Sequence, residues 1–305
     1  MVDMPRPHLL VGTVEGLHEV GVQERSHLNG HEILALVNDR HSWWALVDGS
    51  TLYRFDRDAV WKEVASLPDS SGTCLGVTAS ALLVGTAGAH LFRLEGQRLT
   101  RIEEFEQVEG RRKWYTPWGD PPDTRSIFFD STGIVYVNVH VGGIVRSTDA
   151  GRSWQPTIDV DADVHQVLAH PSRPSTLLAA CAEGLGVSED RGDSWRFETE
   201  GLHARYLRAV AIARDYVLVS ASTGPGGRRA TLYRKRLGQD KRFERCREGL
   251  PEWFGDNIDT SCLAASGQTV ACGTEDGRLF LSNDAGASWE PIAKGLPSMR
   301  CLCIA

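Results

Sequence analysis

Apolar residues in this chain fall in short runs closed by Gly, Asp or Asn, and the runs pair as strand, tight turn, strand. The clearest case is Thr269-Val-Ala-Cys-Gly-Thr-Glu-Asp-Gly277-Arg-Leu-Phe-Leu-Ser282. The same grammar recurs at Leu10–Leu17, Trp44–Gly49, Leu83–Gly88, Val135–Gly142, Leu178–Leu185 and Val217–Thr223, which makes seven copies. No long segment with a helical period separates them, and this patterning predicts an all-β chain. Every copy but the first follows one more apolar run: Ile33–Val37, Cys74–Val77, Ile127–Phe129, Gln166–Ala169, Ala209–Ile212 and Cys262–Ala265. The run that the first copy lacks stands at the other end, Arg300–Ala305. The expected fold is a seven-bladed β-propeller of four-stranded blades, one domain over residues 1–305. The C-terminal strand would join the N-terminal blade and close the ring, which removes the exposed sheet edges of an open β structure.

A second pattern supports this period. Ser147-Thr-Asp149-Ala-Gly151-Arg-Ser-Trp154, Ser188-Glu-Asp190-Arg-Gly192-Asp-Ser-Trp195 and Ser282-Asn-Asp284-Ala-Gly286-Ala-Ser-Trp289 share the form S-x-D-x-G-x-S-W. The tryptophans are 41 and 94 residues apart, and the longer gap holds two blade-sized periods. A decayed copy lies between them, where Phe243–Pro251 aligns with Trp289–Pro297. The motif resembles the Asp-box, or BNR, repeat of sialidase-like β-propellers. It is also similar to the repeats of sortilin-type receptors and of the photosystem II assembly factor family. The resemblance implies a turn between the third and fourth strands of a blade. There Asp149, Asp190 and Asp284 would accept backbone N–H groups, the Gly would take positive φ, and Trp154, Trp195 and Trp289 would pack between sheets. It carries the fold more than the chemistry. A sialidase also needs an arginine cluster opened by an N-terminal R-I-P motif, and Pro5-Arg6-Pro7 does not match it.

Composition narrows the function classes. The formal charge of −7 gives no basic footprint for nucleic acid, and no apolar window is long enough to span a membrane. The seven Cys lack paired metal-finger spacing, and several sit in apolar strands (Cys262, Cys272, Cys301, Cys303). They read as reduced core cysteines. With no apolar leader core in Met1–His8, a cytoplasmic location is expected.

The motif turns mark one face of the ring, so variable chemistry is expected on the other. At the end of the second strands the equivalent positions read Val14, Val47, Ala87, His140, Glu183, Ser222 and Glu275. Ahead of the first strands they read Glu32, Thr73, Ser126, His165, Arg208, Ser261 and Arg300. His140, His165 and Glu183 are the candidate catalytic residues. They suit acid–base work, or a divalent metal held by two imidazoles and a carboxylate. The irregular loop Arg111–Arg125 offers Trp114, Tyr115 and Trp118 as ligand walls and Arg125 as an anion partner. His203, Arg205, Tyr206, Arg208, Glu275 and Arg300 complete the expected rim. The predicted function is binding of a small polar or anionic ligand, with hydrolase- or lyase-like chemistry, metal-assisted or not. The alternative is a non-catalytic scaffold that docks a protein or peptide, and true glycoside hydrolysis is the less favoured reading. No obligatory cofactor is implied.

Overall fold

The computed structural model describes residues 7–21, 24–56, 60–78, 80–116 and 118–305. Pro5 and Arg6 of the N-terminal tripeptide lie outside the described residues. The described chain forms seven four-stranded antiparallel sheets and, besides them, two single-turn 3-10 helices at Phe105–Gln107 and Arg111–Lys113. The innermost strands of blades two to seven are Ile33–Asn38, Gly72–Val77, Thr124–Phe129, Val164–His170, Val210–Ala213 and Leu263–Ser266. Blade one takes its inner strand from the far end of the sequence. Met299–Ile304 pairs antiparallel with Leu9–Thr13, Leu9 opposite Ile304. Each inner strand packs against that of the next blade, and the contacts run round a closed cycle. The architecture is a seven-bladed β-propeller, as the run pattern predicts.

Sandwiching explains the composition of the second strands. Leu9–Thr13, Leu82–Thr86 and Val135–Val139 are buried at every position, because neighbouring sheets cover both of their faces. Such strands read as continuous apolar runs, whereas outer strands such as Arg98–Arg101 are partly exposed and polar. All seven cysteines are free, and six are fully buried. Burial pushes the Cys74 thiol up to about 12, so it packs as a hydrophobe rather than acting as a nucleophile.

The S-x-D-x-G-x-S-W segments are the turns between third and fourth strands. In blade four, Asp149 Oδ1 accepts from Arg152 N at 3.0 Å, Ser153 N at 2.9 Å and Ser147 Oγ at 2.8 Å. Its Oδ2 accepts from Ser153 Oγ at 2.6 Å. Ser147 Oγ in turn accepts from Gly151 N, and Trp154 Nε1 donates to Gly151 O. Blades five and seven repeat the set around Asp190 and Asp284. Gly151 sits at φ 87°, a conformation that favours glycine. In blade six, Phe243 takes the place of the Trp and is buried.

These turns set an acid response. The hydroxyl and amide of Ser153 hold the Asp149 carboxyl at about 2, and Ser194 does the same for Asp190. The unfolded value is about 3.9. A depressed native value gives stability that is complete above pH ~4 and is lost as pH falls toward ~2. Melting temperature is expected to fall across that window, and the fall to flatten in an Asp149→Asn, Asp190→Asn double variant. An unchanged slope in thermal melts from pH 5 to 2 would remove the turns as its source.

Candidate functional site

On the face away from these turns, the inner strands begin with a repeated irregularity. Pairing between first and second strands skips one residue at Leu34, Thr73, Arg125, His165 and Arg300. A bulge of this kind re-aims one side chain out of the ladder. Arg208 and Ser261 stand just ahead of the inner strands of blades six and seven. Two residues before each of these five bulges, and before Arg208, a carbonyl accepts from the residue that follows the second strand: Glu32 from Asp48, Ser71 from Ala87, Asp123 from His140, Asp163 from Ala182, Tyr206 from Ser222 and Ser298 from Val14.

This register corrects the sequence alignment. The bulged residues of blades two and four are Leu34 and Arg125, not Glu32 and Ser126. The blade-five equivalent of His140 is Ala182, so Glu183 lies one residue beyond the matching place. Its side chain is largely exposed, and partial desolvation at the protein surface together with the charge of Asp163 raises its pKa. The carboxylate that joins the histidines is Asp163, two residues before His165.

His140, Asp163 and His165 present ligand-type atoms within 4.8 Å of one another. Asp163 Oδ1 lies 3.2 Å from His140 Nε2 and 3.4 Å from His165 Nε2. The imidazoles are enclosed, His140 at 2% exposure and His165 at 0%. His165 Nδ1 donates to Leu207 O at 2.6 Å. Burial would raise the Asp163 carboxyl, but contact with the two imidazoles outweighs it and holds the group well below the usual carboxylate range. Burial lowers His165, and the charges of Arg125 and Arg208 add to that, against the opposing pull of Asp163. Trp118, 57% exposed, covers the His140 ring with centroids 4.9 Å apart. The Tyr206 ring meets His165 edge-on at 4.8 Å.

The arginines differ in their partners. Arg208 pairs with Asp259 of the next blade and Arg300 with Glu32. By the same rule Arg125 faces Asp163, but that carboxylate is already engaged by the histidines. Among the described residues no carboxylate lies within ion-pair distance of Arg125, whose guanidinium pKa is lowered by burial and by the charge of Arg208.

The remaining predicted residues lie elsewhere. Trp114 is buried against Phe105 and Arg111, so it is core rather than a ligand wall. Tyr115 is 47% exposed. His203 stacks on Tyr233 and touches Trp253, apart from the trio. Arg205 is exposed. Glu275 hydrogen-bonds Asp256, which raises its pKa. A cavity of about 690 Å³ opens instead on the face of the motif turns, between the inner hairpins of blades two to five. Asp130, Arg93 and His170 are among its walls, and sequence reasoning did not point there.

No family model matches the chain, and none of the curated proteins matches it. Among solved structures it is similar to the GH74 xyloglucanase from Xanthomonas campestris, at 16% identity and TM-score 0.61 over 93% of this chain. It spans 47%, about half, of that enzyme. It is also similar to YCF48 bound to D1 peptide, at 16% identity and TM-score 0.60 over 95% of this chain and 86% of the other. The WD40 β-propeller domain of Doa1 gives 12% identity and TM-score 0.65 over 95% and 87%. These likenesses establish the propeller class. The class holds glycoside hydrolases and binding domains alike. Among the described residues no helix is long and apolar enough to cross a membrane.

Proposed function

We propose that the protein binds a small anionic molecule at the channel end away from the motif turns, with Arg125 as its counter-charge. The observation that carries this reading is the unpaired guanidinium. Of the three arginines at the inner-strand entries, two are neutralised by the next blade and Arg125 is not. A half-buried cation without a partner favours an anion that supplies one. The adjacent imidazoles and Asp163 suit hydrolytic or lyase-type chemistry on the bound molecule.

Inorganic phosphate and citrate are the first probes. Isothermal titration is expected to show binding by the wild-type protein. Arg125→Gln is expected to weaken it by on the order of tenfold or more, since a charge-assisted hydrogen bond contributes about 1.5–3 kcal/mol. Arg236→Gln, at the exposed end of the third strand of blade six, is expected to bind as wild type. Equal binding by Arg125→Gln and wild type would overturn the proposal.

A docking scaffold is the second reading, supported by the exposed aromatics Tyr115 and Trp118 on one loop. It predicts that Trp118→Ala abolishes capture of a peptide or protein partner while phosphate affinity is kept.

A further inference from the structure

We infer that His140, Asp163 and His165 form a divalent metal site of the zinc type. The inference deepens the reading above, since it concerns the same channel end, but it stands on separate atoms.

The argument starts from the tautomer of His165. Its Nδ1 faces the carbonyl oxygen of Leu207 at 2.6 Å. A carbonyl only accepts, so Nδ1 carries the proton and a neutral ring leaves Nε2 with its lone pair. That lone pair points at a carboxylate oxygen 3.4 Å away, which is also only an acceptor. Asp163 Oδ1 is also 3.2 Å from His140 Nε2, but among the described residues neither it nor His165 Nε2 makes a well-directed hydrogen bond, and His140 Nδ1 is likewise buried and unsatisfied. Two acceptors held face to face in a buried site need a cation between them.

The two distances to Asp163 suit a metal ion. Zinc takes imidazole nitrogen and carboxylate oxygen at about 2.0–2.2 Å, which places tetrahedral ligand atoms roughly 3.3–3.6 Å apart. The two contacts to Asp163 are 3.2 and 3.4 Å. A ring nitrogen donating to a backbone carbonyl while the other faces the ion is the usual support of a metal-bound histidine. Two imidazoles and one carboxylate leave a coordination position open, as catalytic rather than structural sites do. An ion there would polarise the oxygen of a ligand whose charge rests on Arg125.

The test uses the chain of residues 1–305, stripped with EDTA and dialysed against zinc, manganese(II) or anaerobic iron(II), with bound metal read by elemental analysis. One zinc per chain is expected, and cobalt(II) is expected to give the visible absorption of a low-coordinate site. His165→Ala and Asp163→Ala should each weaken zinc binding by about 100-fold or more, with melting curves confirming that the variants fold. Asp161→Ala, at an exposed residue two positions earlier in the same loop, should bind zinc as wild type. Arg125→Gln should keep the zinc while losing phosphate, so a failed metal site and a failed anion site give different results. Zinc binding that survives in both His165→Ala and Asp163→Ala, or its absence from the wild type, would overturn the inference. Loss in Glu183→Ala but not in Asp163→Ala would overturn the ligand set.

Discussion

A chain ending at Ser298 is expected to lose its folded monomeric state. The missing residues are the inner strand of blade one, in which Met299, Cys301 and Leu302 are buried. Burying an apolar side chain of this kind contributes roughly 1.5–3 kcal/mol. Three of them approach the ~5–15 kcal/mol net stability of a typical fold. The cut also bares Leu9–Thr13, a strand buried along its whole length. An apolar edge left unpaired recruits other chains. Size-exclusion chromatography with light scattering is expected to show oligomers and aggregate, and a synthetic peptide of residues 297–305 to restore monomer by strand addition. A truncated monomer with the melting temperature of the full chain would sink the closure argument. The same closure leads us to expect one cooperative thermal transition for residues 1–305.

The second large effect is expected at Gly249. This residue follows the outer strand of blade six with φ 78°. A Cβ there would lie 1.7 Å from the carbonyl oxygen of Trp289. The neighbouring peptide is tied to that tryptophan, because Trp289 N donates to Glu248 O at 3.0 Å. Gly249→Ala therefore costs the left-handed penalty of about 1–2 kcal/mol and also displaces the backbone that seats a buried Trp. A total of about 4 kcal/mol or more is expected, a drop in Tm on the order of 10 °C. Gly295 aligns with Gly249 in sequence and has φ 74°, but a Cβ there meets nothing within 4 Å. Gly295→Ala is expected to cost only the conformational penalty. Matching melts for the two variants would show that the contact with Trp289 carries no weight.

The blades were legible because each strand buries both faces or one, and burial writes itself into apolar runs. The closing strand was legible for the same reason, as Cys301-Leu-Cys-Ile304 is apolar where a tail would be polar. The site was only half legible. His140, His165 and Arg125 were found because titratable groups stand out among small residues at ring-equivalent positions. The carboxylate was assigned to Glu183 because the turn after the second strand holds three residues in blade four, between Val139 and Gly143, and two in blade five, between Cys181 and Gly184, a difference that counting along the chain does not reveal. A usable signal was present. Asp123-x-Arg125, Asp163-x-His165 and Tyr206-x-Arg208 repeat a two-residue spacing ahead of consecutive inner strands, and it marks Asp163. Trp114 was misread as a ligand wall because an aromatic in an irregular loop looks the same whether it faces a ligand or the core.

The pairing of Leu9 with Ile304 also sets a timetable. Leu9–Thr13 must wait for Met299–Ile304, made almost three hundred residues later. At about 5–20 residues per second, blade one spends on the order of 15–60 s of synthesis with its inner edge open. The six later blades can form locally in the order they emerge. The slow, non-local step is left to the end, where contacts distant in sequence make folding slowest. Protection by chaperones is therefore needed most at blade one of the nascent chain, until Met299–Ile304 has been made.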